Sequence, residues 1–413
     1  MAQVFPFKAI HYNTQLISNL DDVITPPYDV IPAGDVSKYL SRSPYNLAHV
    51  LMPRPEDEDY GLAAQTLHNW QANKILVEDE REGFYLYQQA FELHGKTHRR
   101  HTLFCAVQLH EFGDKVILPH ENIYPKYKDD RLKILRKTQL NLSPIFGMVG
   151  DPMGKLHDLY EKWVYTPPLL HSVSSDDDIE HTVWKIETSK AQELIEHFAS
   201  RPLYIVDGHH RYQSSLAYAK ELGVLGKEHP AARMLFAVAT FPDNNLAVLP
   251  THRLIKEPPK KTISRNVIAE SYELAPVSYE QLRSFVLSPQ TLPAFIIFYA
   301  GELMLCTPRH WQTSVPELGE SLAPLSVVWS DRKFMTQFCE IDDSNRGSRV
   351  AYEKNLETAW EKRDRTALTL FLPPLSVEQI AAVADDGKTL PQKSSYFYPK
   401  LASGLVIRKA IIS

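Results

Sequence analysis

Cysteine is scarce in this chain. Three cysteines, Cys105, Cys306 and Cys339, stand far apart among 413 residues, and no CxxC occurs. That excludes a disulfide framework and a cysteine-rich zinc site. Glycine is outnumbered by proline, 16 to 29, which favours rigid, extended connections over flexible linkers. No stretch approaches the ~20 apolar residues of a membrane-spanning helix. The opening residues, MAQVFPFKAIHYN, lack the charged head and apolar run of a signal peptide. The expected setting is cytoplasmic and reducing. A net charge of −5 exerts no global pull toward nucleic acid. There is no GxxxxGK[ST], no GxGxxG, no GxSxG and no HExxH, so the commonest phosphate cradles, the serine-hydrolase elbow and the zincin helix are all missing.

What remains is ordinary globular material: 44% hydrophobic and 23% charged residues, with no repeat and no low-complexity tract. The length suits two or three domains, or a large single one. Soft boundaries fall at the acidic loop near Asp176 and at Glu257-Pro258-Pro259. They divide the chain into 1–175, 176–260 and 261–413, or leave it one intertwined domain. Short apolar runs alternate with helical periods. VIT (Val23 to Thr25) and NLAHVLMP (Asn46 to Pro53) are expected strands, and Asp57 to Ile75 a helix. Hairpins are expected about His94-Gly95-Lys96 and Ala300-Gly301. Lys128 to Thr138, Lys190 to Ala199, Asp331 to Cys339 and Ser348 to Lys362 are expected helices. The mixture implies an α+β (mixed α/β) fold, not a doubly wound parallel sheet.

One junction carries the densest chemistry. Leu203 to Val206 forms a strand, Tyr212 onward a helix with Tyr212, Leu216 and Ala219 on its buried face, and DGHHR fills the gap between them. Free backbone N–H groups and the positive dipole end make such a junction an anion site. Gly208 lets a ligand approach the backbone closely. Arg211 offers a fork for phosphate. His209 and His210 donate hydrogen bonds or act in acid–base chemistry. The plainer reading is that Asp207 only caps the helix. A metal held by Asp207, His209 and His210 is disfavoured, because adjacent helical residues point different ways; no metal ligand is assigned.

Other candidates are looser. ITPPYDV fixes Tyr28 and Asp29 on a rigid loop, with Asp29 a general base, a Mg²⁺ ligand or a mere helix cap near Ala33. LPHENIYPKYKDDR carries His120 and Glu121, then Lys126, Lys128 and Arg131, either a site for an acidic ligand or a solvated basic face. PTHRLI places His252 and Arg253 on a strand. PQKSSYFYPK packs Lys393, two hydroxyls, three aromatics and Lys400 into one short stretch, as core, lid or binding loop.

Taken together, ITPPYDV, LPHENIYPKYKDDR, LSPIFGMVGD, YIVDGHHRYQSSLAYA, LPTHRLI and PQKSSYFYPKLASGLV resemble domain-of-unknown-function family 1015, in order and over nearly the whole chain. The resemblance implies a ParB/sulfiredoxin-like core with large family-specific additions, in which a Gly-x-x-Arg turn holds nucleotide phosphates. Gly208 to Arg211 matches that turn. Free-serine kinases occur in the same superfamily, so the resemblance also implies a small-molecule (amino-acid) kinase using ATP or ADP with Mg²⁺. The expected catalytic groups are Asp29 or Glu121 as base, with Asp207 and His209. Gly208, His209, His210 and Arg211 are expected on the phosphates, and Tyr28, His120, Arg131, His252, Arg253 and Lys393 in secondary binding. The expected partners are a nucleotide and a small molecule. The alternatives are a ParB-type nucleotide-binding regulatory module and a ParB-like nuclease, which low basicity disfavours.

Overall fold

A computed structural model describes residues 1–52, 60–121, 125–257, 264–313 and 316–411. Helices and strands are mixed among several sheets, so the α+β expectation holds. The chain divides into two compact units. Unit 1 comprises Met1–Pro119, Ile123–Leu246 and Pro399–Ser413; unit 2 comprises His120–Asn122 and Ala247–Tyr398. The acidic loop near Asp176, expected as a boundary, is instead the turn between the paired strands Leu170–Val173 and Glu180–Glu187. The division falls at 246/247 and again near the end of the chain.

Unit 1 is built on a nine-stranded sheet. Its order is Ile117–Pro119, Leu203–Asp207, Ile145–Gly150, Arg233–Phe241, Lys96–Gln108, Gly83–Leu93, Glu180–Glu187 and Leu170–Val173, with Val4–Phe5 also on Lys96–Gln108. Only two contacts are parallel, Ile117–Pro119 with Leu203–Asp207 and Ile145–Gly150 with Arg233–Phe241. The long hairpin turns at His94 and Gly95, both with positive φ. Such a turn matches the right-handed twist of the strands it joins. The helix His209–Glu221 packs Tyr212, Leu216 and Ala219 into the core with Phe236 and Leu203. Each large apolar side chain buried there contributes roughly 1.5–3 kcal/mol. A small four-stranded sheet, in the order Leu76–Glu78, Ala9–Tyr12, Ile407–Lys409 and Leu140–Asn141, brings the end of the chain back into this unit.

Unit 2 holds an antiparallel six-stranded sheet in the order Tyr272–Pro276, Glu302–Pro308, Phe295–Tyr299, Leu368–Phe371, His252–Ile255 and Val350–Glu353. The hairpin at Ala300-Gly301 is as expected, with positive φ at both residues.

Three local expectations are corrected. Of the expected strand Asn46 to Pro53, the described residues 46–52 form none: the buried Asn46 side chain accepts from the Ala48 N–H, and Ala48–Leu51 is a helical turn, while Pro53 lies outside the described residues. Val23 to Thr25 forms no strand, since the two prolines that follow break the ladder, and only Thr25 bridges, to Ser403. Ser348 to Lys362 is split. Val350–Glu353 pairs with His252–Ile255, and helix resumes only at Leu356–Lys362. There, alternating Val350 and Tyr352 favour a pleated neighbour over helical periodicity. The expected helix from Asp57 starts at Gly61 in the described residues, and 53–59 lie outside them.

Candidate functional site

The DGHHR junction is a strand–helix junction, as expected. The strand Leu203–Asp207 slips register between Ile205 and Asp207 against Ile145–Gly150, a local irregularity that re-aims the Asp207 side chain. Gly208 then takes φ +91°, a left-handed conformation open mainly to glycine. A Cβ there would lie 3.0 Å from three atoms of the Arg211 side chain, Nε, Cζ and Nη2. What approaches Gly208 in this structure is therefore the guanidinium of the same turn, folded back over it.

Arg211 donates from Nη2 to Asp207 Oδ2 at 2.7 Å and from Nη1 to the Pro144 carbonyl. Lys400 Nζ donates to the other oxygen, Oδ1, at 2.6 Å. Asp207 thus sits between two cations. Burial by itself would raise its carboxyl, but Lys400 and Arg211, with help from His209, outweigh that and hold it well below the usual carboxylate range. A carboxylate so stabilised is a weak proton acceptor, and this opposes the expected catalytic role of Asp207. Its geometry suits a positioning one. His209 is buried and His210 half-buried, on the first turn of the helix.

Arg211 also lines a cleft in unit 1, together with Tyr28, Arg131, Asn141, Ser143 and Ser214. Three segments distant in sequence, PPYD, KDDR and GHHR, supply its charged and aromatic lining. Arg131 stacks on the Tyr28 ring at 3.8 Å. It is held there by Asp130 Oδ2 at 2.8 Å, the Tyr60 hydroxyl at 2.8 Å and the Leu51 carbonyl at 3.3 Å. Burial pushes the Tyr28 hydroxyl up to about 12, with Arg131 opposing and Asp29 adding to the rise, so it stays a hydrogen-bond donor at neutral pH. The free space in the cleft is about 50 Å³. At ~10–15 Å³ per water-sized centre this admits a few waters or a phosphate group, and it is far below the ~300 Å³ of a pocket that engulfs a whole ligand. Asp29 is exposed on the turn Tyr28–Val30. It caps neither the turn Ala33–Asp35 nor the helix Val36–Arg42. The helix carrying Arg131 starts at Pro125, and the side chains of Lys126 and Lys128 lie outside the described residues.

The remaining expected residues belong to unit 2. His120 Nε2 lies 2.8 Å from the Ser395 hydroxyl. Glu121 Oε1 accepts from the Ser394 N–H at 3.2 Å and the Ser395 hydroxyl at 3.3 Å. PHEN thus meets the serines of PQKSS, while the neighbouring Lys393 is exposed with φ +57°. His252 and Arg253 are fully buried, 0% exposed. Arg253 spends its fork on Asp331 at 2.9 and 3.2 Å, and burial pushes His252 down to about 3. Both are built into the interior of unit 2, which corrects the expectation that they face a ligand.

By sequence, Lys400 stood out only as part of the PQKSSYFYPK stretch, with no role of its own. It stands 193 residues from Asp207, at the end of a stretch in which Lys393 was the more conspicuous cation. Among the described residues, no group of three or more His, Cys, Asp and Glu side chains is arranged to hold a metal ion.

A family model described as a protein of unknown function, DUF1015, matches residues 4–323. No curated protein matches the chain. Among solved structures, the chain is similar to a conserved hypothetical protein from Pyrococcus furiosus, at 13% identity and TM-score 0.34, over 74% of this chain and 95% of that one. It is also similar to a free serine kinase in complex with AMP, at 12% identity and TM-score 0.34, over 74% and 92%. A third is SbnI with a C-terminal truncation, from Staphylococcus aureus, at 13% identity and TM-score 0.35, over 74% and 88%. Likenesses at this level do not bear on the chemistry of the site.

Proposed function

This chain belongs to the DUF1015 family of proteins of unknown function, and on that premise we propose that unit 1 binds the phosphates of a nucleotide and passes a phosphoryl group to a small hydroxyl-bearing acceptor of the L-serine kind. The observation that carries the reading is the convergence of Arg131, Arg211 and Tyr28 with the hydroxyl-bearing Ser143 and Ser214 on one phosphate-sized cleft. Guanidinium forks and hydroxyl donors are the groups that suit phosphate oxygens. The helix His209–Glu221 adds its positive end. A cleft of this size takes one phosphate group and leaves the rest of the nucleotide outside it.

Phosphoryl transfer breaks the bond from the terminal phosphorus to its bridging oxygen as the bond to the acceptor oxygen forms. A carboxylate is a common acceptor for the substrate hydroxyl proton in phosphoryl transfer. Asp29 is the candidate in unit 1, because it is exposed beside Tyr28 and is not tied to a cation as Asp207 is. Magnesium, when bound, neutralises charge on the transferred group. With no ready carboxylate cluster among the described residues, its ligands would come chiefly from the phosphates, as is usual for this ion.

The test is direct. The protein is incubated with L-serine, Mg²⁺ and either ATP or ADP, phosphoserine is sought by mass spectrometry, and melting is followed with each nucleotide. A nucleotide at about a hundred times its Kd stabilises the native state by about 2.7 kcal/mol. The expected result is a raised Tm that Arg131→Ala and Arg211→Ala abolish, together with phosphoserine. No shift with any nucleotide overturns the reading. A shift without product leaves a binding module of the regulatory kind.

A further inference from the structure

Asp207 accepts from a cation on each of its oxygens, Arg211 on Oδ2 and Lys400 on Oδ1. We propose that Lys400 is a positioning residue of the anion site, whose charge offsets Asp207 and so leaves Arg211 cationic toward the cleft. The proposal rests on the reading that this cleft takes phosphate.

Four observations support it. Lys400 is only 10% exposed at its side chain and 2.6 Å from Asp207 Oδ1, so its charge acts where solvent screens it poorly. Its backbone is placed with care: the Lys400 carbonyl accepts from Gln89 Nε2 at 3.0 Å, and the Pro399 carbonyl accepts from Arg100 Nη2 at 2.6 Å. Arg100 is itself fully buried, with its guanidinium 4.7 Å from the Phe146 ring centre. Burial lowers it to about 10, so it remains charged at neutral pH.

The segment that follows Lys400 is tied to the motifs that build the cleft. Ser403 exchanges backbone hydrogen bonds with Thr25, three residues before Tyr28. Its hydroxyl lies 2.8 Å from that of Ser143, which lines the cleft. Beyond it, Ile407–Lys409 pairs with Ala9–Tyr12 and with Leu140–Asn141. The last stretch of the chain, beyond the residues 4–323 that the family model matches, therefore delivers one cation to Asp207 and braces the walls around Arg211.

The test compares charge variants of the full chain, with inorganic pyrophosphate as the probe and calorimetry as the readout. Lys400→Gln removes one positive charge, and its affinity is expected to fall on the order of tenfold with a weaker salt dependence. Lys400→Arg is expected to recover most of that loss. Asp207→Asn is expected to move affinity the opposite way, and the double variant to return toward wild type. This opposite sign keeps the proposal falsifiable should Lys400→Gln fold poorly. Unchanged affinity and salt dependence in a folded Lys400→Gln, or a fall in Asp207→Asn, overturns the role of Lys400 while leaving phosphate binding intact. Failure of the wild-type protein to bind pyrophosphate overturns the phosphate reading, and this inference with it.

Discussion

Asp207 in unit 1 and Asp331 in unit 2 are each held between two cations, and the two clusters serve opposite ends. In unit 2, Asp331 accepts from Arg253 at 2.9 Å and from Arg346 at 2.6 Å, and both Asp331 and Arg253 are 0% exposed. In unit 1, Asp207 accepts from Arg211 and Lys400 with 17% of its side chain exposed, and Arg211 also lines a cleft beside Arg131. Arg346 also meets the exposed Asp343 at 3.6 Å. Access differs. A sealed cluster fixes how strands and helices meet, whereas a cluster opening on a cleft leaves a cation where a ligand can reach it.

The largest expected effect separates the clusters by stability. Asp331→Ala leaves two arginines buried without their carboxylate and is expected to cost about 3–5 kcal/mol, read as a lower denaturant midpoint in the unfolding of unit 2. Asp207→Asn keeps an acceptor at a partly open site and is expected to cost less, about 1–3 kcal/mol. Equal costs would erase the contrast between a sealed and an open cluster.

Gly208→Ala comes next. Its methyl group would meet the Arg211 guanidinium at 3.0 Å in a left-handed conformation. The expected cost is roughly 1–3 kcal/mol, with loss of nucleotide-induced stabilisation, because Arg211 must leave its seat. Calorimetry and thermal melting together check both halves.

The smallest effect concerns histidine charge. Burial lowers His181 in unit 1 to about 4 and His252 in unit 2 to about 3, from an ordinary value near 6.5. Each is therefore neutral in the native state between its folded value and 6.5, while the unfolded chain takes up a proton there. Stability is expected to fall as pH drops from 6.5 toward those values. Imidazole resonances that do not titrate down to pH 5 would confirm it; ordinary titration near 6.5 would place both rings in water.

Much of the architecture was legible locally. Both hairpins were marked by an apolar run on either side of a glycine turn, and the helix after DGHHR by Tyr212, Leu216 and Ala219 at helical spacing. Misreadings arose where a neighbour decided. Val350 to Glu353 became a strand because His252–Ile255 offers an edge, and residues 46–52 became a turn because the Asn46 side chain accepts from the Ala48 N–H. The site divided in the same way. Arg211, Arg131 and Tyr28 were visible as motif residues, but nothing in their spacing showed that they share a cleft or that His252 and Arg253 do not face one.

The amino-acid order by itself determined the strand–DGHHR–helix junction, because hydrophobic periodicity and a glycine at a left-handed turn are local properties of the chain. Only the tertiary structure decided what that junction faces. Lys400 reaches Asp207 across 193 residues because the final strand returns to the small sheet of unit 1, and a contact between distant segments leaves no periodic trace in either of them.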